Sequence, residues 1–382
     1  MNNQKHLFQL EEGVHYLNCA YMSPLLKSVE EAGINGMIGK RNPFLIKTTH
    51  FFELAETTKQ NIGKLINAPS KNIAIIPSVS YGLASAIANL PLQNGNKAVV
   101  VGNEFPSGYN EIKKWCDGNK KELQIIPEPI NSNTKGRDWN TTILENIDKD
   151  TAVVVISSVH WTDGTKFDLK SIGQKCVEND VVFIVDGTQS VGAAIIDVQL
   201  YNIDVLVCAA YKWLLGPYSI GFGYYSNRFA NGIPLEEAWV NRSNAEDFTK
   251  LTQYTNEYKE GSNRYNVGEY SNFILLPMFN TAVEQLLDWN VENIENYCEN
   301  LSKPLIAFLG KSNYTIEEPE YRSKHLFGIS LPTSLNLNML LAALEEHKIY
   351  VSVRGQSIRV SVNVFNTPED INALQAILEE HQ

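Results

Sequence analysis

Three charged side chains stand alone in long, largely apolar segments of this sequence. Lys212, Asp186 and Arg359 are each the only charged residue in such a segment. Taking a charge out of water is costly unless the charge is paired, so a residue in this position either reaches solvent or has a chemical role. These three residues are therefore the first candidates for a functional site.

Lys212 follows the apolar run 205–210 and precedes the apolar segment 213–217. Burial disfavours the charged form of a lysine and lowers its pKa, and a partly neutral lysine is the nucleophile that Schiff-base chemistry needs. The same pattern also permits a lysine that extends from a strand end into water.

Asp186 and Arg359 occupy strand-like positions. Asp186 ends an apolar run, and ligands of open α/β sheets bind at the carboxyl ends of strands. It could also be a turn or capping aspartate in an Asp-Gly pair. Arg359 alternates with Ile358 and Val360, which puts it on the opposite face of the strand, where it can bind a carboxylate through two hydrogen bonds. The alternative is an exposed strand arginine.

One cofactor would explain all three residues. Pyridoxal phosphate has a ring nitrogen that pairs with a carboxylate and an aldehyde that reacts with a lysine, and its amino-acid substrates carry a carboxylate that an arginine binds. Its phosphate needs donors, and segment 77–82 (Pro-Ser-Val-Ser-Tyr-Gly) lies between a predicted strand and a predicted helix. Backbone N–H groups at a helix N-terminus bind phosphate, although many serine-rich turns only cap helices.

The elements that must position these residues alternate through the middle of the chain. Predicted strands cover 73–77, 98–101, 123–127, 152–157, 181–185, 205–209 and 221–225, and predicted helices cover 81–89, 107–116, 141–146 and 169–178. Several strands are continuously apolar, which is typical of strands buried on both faces of a parallel sheet. The pattern predicts an α/β fold whose large domain has a mainly parallel seven-stranded sheet between helices.

The pattern changes after residue 275. A long helical pattern covers 276–309 with a stop or kink at Pro304. Predicted strands at 325–330, 350–353 and 358–362 and predicted helices at 336–347 and 368–380 follow. We therefore predict an N-terminal arm (1–20), a large cofactor-binding domain (21–275) and a small C-terminal α+β domain (276–382).

Composition limits the possible partners. The 382 residues include 32 Lys and Arg against 43 Asp and Glu, a net charge of −11. An acidic chain lacks the basic footprint that nucleic acids and anionic membranes require, so neither is an expected partner. Five widely spaced cysteines, without a Cys-x-x-Cys or Cys/His cluster, and a start without a secretion signal favour a cytoplasmic protein with no metal site.

Three segments carry a resemblance to a known family. Segments 158–164, 185–192 and 211–217 resemble, in this order, the class V aminotransferase group of fold-type I pyridoxal-phosphate enzymes. That group contains cysteine desulfurases, selenocysteine lyases, kynureninases, isopenicillin N epimerases and several aminotransferases. The ordered resemblance extends from 16–18 to 366–370.

The resemblance implies a role for each matching position. Lys212 would form the internal aldimine with pyridoxal 5′-phosphate and shuttle protons, and Asp186 would pair with the pyridine nitrogen. Further implied cofactor contacts are Val79, Ser80 and Tyr211 at the phosphate, Phe105 stacked on the ring, Gln189 at the ring 3-oxygen, His160 in the pocket wall, and Asn272 near the partner subunit's phosphate. Arg359 would bind the substrate carboxylate, with Arg354 and Asn18 nearby.

The resemblance leaves the reaction type open. An amino-acid aminotransferase acting through Lys212 is the leading interpretation. Loop 355–358 lacks the cysteine that desulfurases carry there, and Cys19 fits a packing residue better than a replacement. A Cβ-lyase for cysteine- or selenocysteine-type substrates, an epimerase and an inactive binding protein of the same fold stay open. A Rossmann dehydrogenase is disfavoured because segment 221–223 lacks the third glycine.

The resemblance also implies a quaternary structure. Sites of this type are usually built at a dimer interface, so we expect a homodimer with shared active sites and a small-molecule amino acid as substrate.

Overall fold

The computed structural model describes residues 1–130 and 134–381. The strands are β1 (His15–Tyr16), β2 (Ile73–Ile76), β3 (Lys97–Val101), β4 (Glu122–Ile126), β5 (Thr151–Ser157), β6 (Val182–Asp186), β7 (Val205–Ala209), β8 (Gly221–Tyr225), β9 (Leu326–Ser330), β10 (Ile349–Tyr350), β11 (Ser352–Arg354) and β12 (Ser357–Ser361). The α-helices are α1 (Lys27–Gly39), α2 (Glu53–Ile66), α3 (Val79–Ile87), α4 (Pro106–Asn119), α5 (Lys135–Glu145), α6 (Leu169–Asn179), α7 (Leu275–Trp289), α8 (Val291–Leu309), α9 (Leu337–Glu346) and α10 (Pro368–Glu380).

A seven-stranded sheet forms the centre of the molecule, with the strand order β2-β8-β7-β6-β5-β3-β4. Its neighbours pair in parallel except for β8, which is antiparallel to both β2 and β7. Every residue of β5 and of β7 is buried, as expected for strands covered by helices on both faces. The predicted fold class is confirmed.

The crossover helices begin at capping residues that the sequence places there. Asp168 Oδ1 accepts a hydrogen bond from Ser171 N (3.1 Å) at the start of α6, and Ser78 Oγ accepts from Tyr81 N (3.2 Å) at the start of α3. Such caps satisfy backbone donors that have no partner within the helix. They fix α3 and α6 against the ends of the strands.

The C-terminal part contains a second sheet, antiparallel in the order β11-β12-β9. The beginning of the chain joins this part, because β1 pairs in parallel with β10 and Asn18 bridges to Ser361. The division at residues 20 and 275 stays a prediction.

The prediction of one helical pattern over 276–309 that stops or kinks at Pro304 was wrong in its detail. The chain breaks instead at Asn290, which has a left-handed backbone (φ +64°) and whose Oδ1 accepts from Glu292 N (3.0 Å). Pro304 lies inside α8. Leu301 and Leu305 flank it and are both buried, so tertiary packing keeps this helix continuous.

Helix α10 begins as the sequence indicates. Thr367 and Asp370 form a capping box around Pro368, which occupies the first turn. In the parts of the chain that the structure describes, we find no helix with the length and apolar character needed to span a membrane.

Candidate active site

A cavity of about 270 Å³ opens where the carboxyl ends of β6 and β7 meet the N-termini of α3 and α4. It brings together segments that are far apart in sequence. Its lining comprises Pro77, Ser78, Val79, Ser80, Phe105, Ser107, Ser157, Trp161, Asp186, Thr188, Gln189, Ala209, Tyr211, Lys212, Tyr218, Ser219 and Ile220. Carboxyl ends of strands are where open α/β sheets bind their ligands.

Asp186 ends β6 and faces this cavity. Its Oδ1 accepts a hydrogen bond from Thr188 N (2.9 Å). Burial raises the pKa of Asp186, while the Thr188 donors and the positive charge of Lys212 act in the opposite direction. A carboxylate in this setting is stabilised by a cationic group on a bound ligand.

Lys212 lies just beyond the end of β7 and is 7% exposed. Burial lowers its pKa from 10.5 to about 8, against the opposing effect of Asp186. Its Nζ lies 5.8 Å from the centre of the Phe105 ring and 5.6 Å from that of Tyr211. A larger fraction of this amine is therefore neutral near physiological pH than for an exposed lysine, which favours its action as a nucleophile.

The N-terminus of α3 forms an anion cradle at one end of the cavity. Val79 and Ser80 are its first two residues, and Ser80 Oγ lies 2.9 Å from Ser78 Oγ. Both hydroxyls and the free backbone N–H groups of this helix turn face a cavity that Tyr211 also lines. A phosphate group fits this set of donors.

Phe105 supplies an aromatic wall, and a buried carboxylate holds it in place. Glu104 accepts hydrogen bonds from Phe105 N (2.7 Å) and Ser157 N (2.8 Å), and also from the Ser157 hydroxyl. The Phe105 ring meets Trp161 edge-on at 5.6 Å between centroids. Glu104 is a positioning residue that sequence reasoning did not identify, since only the fold places it beside the end of β5.

Gln189 lines the cavity, but its side chain already has partners. Its Oε1 accepts from Trp213 Nε1 (2.9 Å), and its Nε2 donates to the carbonyl of Ala20 (3.2 Å). His325 donates to the Gln189 carbonyl (2.7 Å), and its ring packs 4.3 Å from that of Trp213. His325 thus joins the C-terminal part to the cavity, a contact with no signal in the sequence.

A neighbouring pocket of about 440 Å³ continues from Lys212 towards the second sheet. Its lining comprises Ala20, Tyr21, Met22, Phe105, Trp161, Tyr211, Lys212, Tyr218, Arg354 and Arg359. Arg359, which the sequence predicts to bind a carboxylate, thus lines the same pocket as Lys212, the candidate nucleophile.

Arg359 is 1% exposed and held from two sides. Its Nη1 donates to the Trp161 carbonyl (2.6 Å) and its Nη2 to Ser352 Oγ (3.3 Å). Ser352 in turn donates to Asn18 Oδ1 (2.8 Å), so Asn18 acts on the pocket through Ser352. Burial and the nearby Arg354 lower the pKa of Arg359 to about 10, and the side chain stays charged at neutral pH.

The structure does not bring His160 to the cavity. The side chain is fully buried, with Nε2 donating to the Asn103 carbonyl (3.2 Å) and the ring packed 5.0 Å from Trp139. Burial alone would lower the pKa of His160, but Asp163 and Glu104 together hold it above its ordinary value. The next residue, Trp161, lines the pocket, and His160 lies in the interior behind it.

Asn272 and Cys19 also lie apart from the described cavities. Asn272 is exposed and caps α7, where its Oδ1 accepts from Ile274 N (3.0 Å) and Leu275 N (2.9 Å). Cys19 is fully buried, and Asn363 Nδ2 donates to its sulfur (3.4 Å). Burial raises the pKa of Cys19 to about 12, so this thiol is protonated and inert.

The described residues fit a phosphorylated pyridine aldehyde. Asp186 matches a protonated ring nitrogen, Lys212 an aldehyde, the α3 N-terminus a phosphate and Phe105 an aromatic face. Arg359, one pocket away, matches the carboxylate of an amino acid. Among the side chains with described positions, no cluster of His, Cys, Asp and Glu suited to a metal ion is present.

Comparison with known proteins agrees with this geometry. The family profile described as "Aminotransferase class-V" matches residues 46–374. An uncharacterised aminotransferase of Schizosaccharomyces pombe is 27% identical over 97% of this chain and 92% of its own. A probable cysteine desulfurase of Pyrococcus abyssi is 23% identical over 85% and 82%.

A solved structure extends the likeness to the whole fold. It is a mutant of C-DES with glycine covalently linked to the PLP cofactor, and it superposes with a TM-score of 0.85. The two chains are 20% identical, and the match covers 99% of this chain and 100% of the other. At this identity the likeness establishes the fold.

Proposed function

Since this chain belongs to the class V aminotransferase family, whose enzymes use pyridoxal 5′-phosphate, we propose that it removes and transfers the amino group of an amino acid. The observation that carries the proposal is the meeting of Lys212 and Asp186 in one cavity, each at the end of a neighbouring strand of the sheet. A lysine with lowered pKa and a buried carboxylate that a cationic ring nitrogen would keep ionised are the pair that this cofactor needs.

Lys212 is the residue that performs the chemistry. Its neutral amine would hold the cofactor's aldehyde, and the same amine is the group that would take a proton from the substrate's Cα. When bound, the cofactor withdraws electrons from the bonds at that carbon. Asp186 would hold positive charge on the ring nitrogen, and the low polarity of a buried site would strengthen this interaction.

The remaining residues position the reactants. Val79 and Ser80 would hold the phosphate at the α3 N-terminus, and Phe105 would cover one face of the ring, since all three line the cavity. Gln189 is placed to approach the ring 3-oxygen, with its amide orientation set by Trp213. Together they fix the ring so that Lys212 reaches the substrate from one side.

Arg359 orients the substrate by its α-carboxylate. Its guanidinium is pre-set by the Trp161 carbonyl and Ser352, which leaves other N–H groups for the ligand. A planar guanidinium binds a carboxylate through two parallel hydrogen bonds and so fixes the direction of the Cα–H bond.

Two observations disfavour a persulfide-forming desulfurase. The turn between β11 and β12, Gly355 and Gln356, contains no cysteine. Cys19 is buried, protonated and bound by Asn363. A Cβ-lyase or an epimerase needs no such cysteine, so the experiment below includes them as alternative outcomes.

A single-turnover experiment separates these reactions. Cofactor-loaded protein is mixed with each member of an amino-acid panel, and the 2-oxo acid and the chemical form of the cofactor are measured by chromatography. Transamination converts the cofactor to its amine form in proportion to the 2-oxo acid. Pyruvate and ammonia with unchanged cofactor would instead establish β-elimination, and loss of optical rotation alone would establish epimerisation.

We further propose a homodimer in the cytoplasm. Tyr21 and Tyr218, at the pocket mouth, are 60% and 63% exposed, and Ile34, Met37 and Ile38 of α1 present further exposed apolar surface. Such surface marks an interface, and a partner there would cover the mouth of the pocket. The cysteines are all unpaired, as in a reducing compartment. Light scattering that gives a monomer for the cofactor-loaded protein would refute the dimer.

A further inference from the structure

Two arginines project from the same face of the hairpin formed by β11 and β12. Ser352 pairs with Arg359 and Arg354 pairs with Ser357, which makes the two arginines diagonal neighbours. Such neighbours lie about 7–8 Å apart at their backbones. The turn between the strands has only two residues, and Gly355 provides the left-handed backbone (φ +60°) that it requires. The hairpin therefore holds both guanidinium groups at the pocket beside Lys212.

Like Arg41, Arg264 and Arg322, these two arginines form no ion pair with a described carboxylate, but only these two line the pocket beside Lys212. Arg137, Arg228 and Arg242 each form an ion pair with an aspartate or glutamate. Within residues 1–130 and 134–381, no ion pair includes Arg354 or Arg359. The charged residues that line the pocket are Lys212 and these two arginines, all of them cations.

Both arginines also have unused donors. Nε of each is buried and has no hydrogen-bond partner. Arg354 Nη1 donates to the Val353 carbonyl (2.7 Å), and its guanidinium lies 5.2 Å from the centre of the Trp161 ring. Trp161 is itself fixed, because its indole donates to the Asn103 carbonyl (2.7 Å). An aromatic ring in this position holds a guanidinium at a defined place.

The charges of the pocket exceed what the proposed function requires. Attachment of the cofactor uses the Lys212 amine, and the substrate's α-carboxylate neutralises Arg359. The positive charge of Arg354 is then left without a counter-charge at the edge of a half-buried pocket. Burial lowers the pKa of Arg354, and no carboxylate counteracts this effect. An unpaired, partly desolvated cation is costly unless a ligand neutralises it.

We propose that the substrate is an amino acid with an acidic side chain, whose second acid group binds Arg354. This inference rests on the proposed function, since it assigns the α-carboxylate to Arg359. A short side chain places its acid a few bonds from Cα, which suits two receptors on one hairpin face. Phe105, Trp161 and Tyr211 surround the carbons between the two acid groups.

A substrate with a long cationic side chain fits less well. A larger cavity of about 1210 Å³ lies on the other side of Trp161 and Arg354, and its lining includes Glu317 together with Glu128 and Asp163, both of which pair with Lys135. A cationic side chain from the Lys212 pocket would have to pass Arg354 to reach these acids. Like charges repel, so the arginine opposes that route.

Binding of unreactive acids tests the inference without turnover. Cofactor-loaded protein is titrated calorimetrically with succinate and with butyrate, which have the same chain length and carry two and one carboxylates. We expect succinate to bind about tenfold more tightly than butyrate, and Arg354→Gln to reduce this ratio to about twofold or less. Arg228→Gln, which removes a charge paired with Asp180, is the matched control and should keep the wild-type ratio.

Two results would overturn the inference. One is equal affinity of the wild-type protein for succinate and butyrate, and the other is an unchanged ratio in Arg354→Gln. A parallel reaction of L-aspartate and L-asparagine separates this failure from failure of the proposed function. If both react equally fast, only the choice of substrate class is wrong. If no amino acid in the panel reacts, the proposed function is wrong, and the succinate ratio still reports on Arg354.

Discussion

The two sides of the active-site cleft differ in whether their charged side chains have partners of opposite charge. The sheet side consists of Asp186, Lys212 and Ser80. It contains one acidic and one basic group, and neutral hydrogen-bond donors at a helix N-terminus. The hairpin side, which consists of Arg354 and Arg359, carries two cations with no carboxylate partner in the described residues. The sheet side has internal charge balance, and the hairpin side does not.

This difference in charge balance suits a permanently bound cofactor on the sheet side and a transiently bound substrate on the hairpin side. On the sheet side, burial raises the pKa of Asp186 and lowers that of Lys212, while the opposite charge of each group acts against the shift of the other. On the hairpin side, the unmet charge provides binding energy only when an anionic substrate is present. In the proposed function, the sheet side would retain the cofactor and the hairpin side would bind the substrate and release the product.

Replacement of Lys212 on the sheet side should lower the turnover number more than any other substitution considered. We expect Lys212→Ala to lower the turnover number by about 10³-fold or more, since both nucleophile and proton carrier are removed. The variant should still bind the cofactor non-covalently, because the α3 N-terminus and Asp186 are unchanged. Turnover assays and the visible absorbance of the bound cofactor measure these two effects.

A second buried lysine provides the internal control for that experiment. Lys59 is also buried, and burial lowers its pKa to about 8 as well, but its Nζ donates to Asn263 Oδ1 (2.6 Å) away from the cavity. Borohydride reduction of cofactor-loaded wild-type protein should therefore fix the cofactor to the Lys212 peptide alone. Mass-spectrometric detection of the cofactor on Lys59 would show that burial, and not position, selects the lysine.

Substitutions of increasing severity on the hairpin side should weaken substrate binding more than cofactor binding. We expect Arg359→Gln to raise KM by about 100-fold, the cost of removing a buried charged partner. Ser352→Ala removes one neutral hydrogen bond to that arginine and should raise KM by about threefold. The cofactor dissociation constant should stay constant in both variants. A large rise in that constant for Arg359→Gln would mean that the two sides are not separate.

The sequence predicts the sheet side well for a physical reason. Continuous apolar runs such as those of β5, β6 and β7 are buried on both faces, so their pattern is strong and their ends are well marked. A lone charge at such an end, as for Asp186 or Lys212, is then expected at the carboxyl edge of the sheet, although the sequence leaves open whether it faces a cavity or solvent. The fold and the central pair therefore follow from local sequence.

Other features depend on contacts that no local pattern contains. His160 is enclosed by Trp139, Asn103 and Asp163, and only the folded chain shows that it points away from the cavity. Helix α1 escapes detection because Ile34 and Met37 are exposed, so its apolar face does not follow the usual burial rule.

The sheet side should also show a defined pH dependence. Burial lowers the pKa of Lys212 from 10.5 to about 8, so the folded apoprotein releases this proton before the unfolded chain does. The stability that depends on this group is therefore lowest below pH 8 and rises between pH 8 and 10.5. The rate of covalent cofactor attachment should increase about tenfold per pH unit below pH 8 and level off above it.

Stopped-flow absorbance of apoprotein mixed with cofactor measures that rate. Lys59→Met removes the other lysine with a lowered pKa and should leave the midpoint near pH 8 unchanged. A midpoint close to 10.5 in the wild-type protein would show that Lys212 is solvated before the cofactor arrives.

The smallest effect should come from Cys19, which lies behind the hairpin side. Asn363 donates to its sulfur and burial raises the pKa of the thiol to about 12, so this side of the cleft offers charge but no nucleophile. We expect Cys19→Ala to change turnover by less than about twofold, with a loss of about 1 kcal/mol in the free energy of unfolding from the lost packing. Iodoacetamide should label Cys19 only after unfolding. A persulfide on Cys19 after incubation with L-cysteine would place a reactive sulfur on the hairpin side, and the contrast between the two sides would then fail.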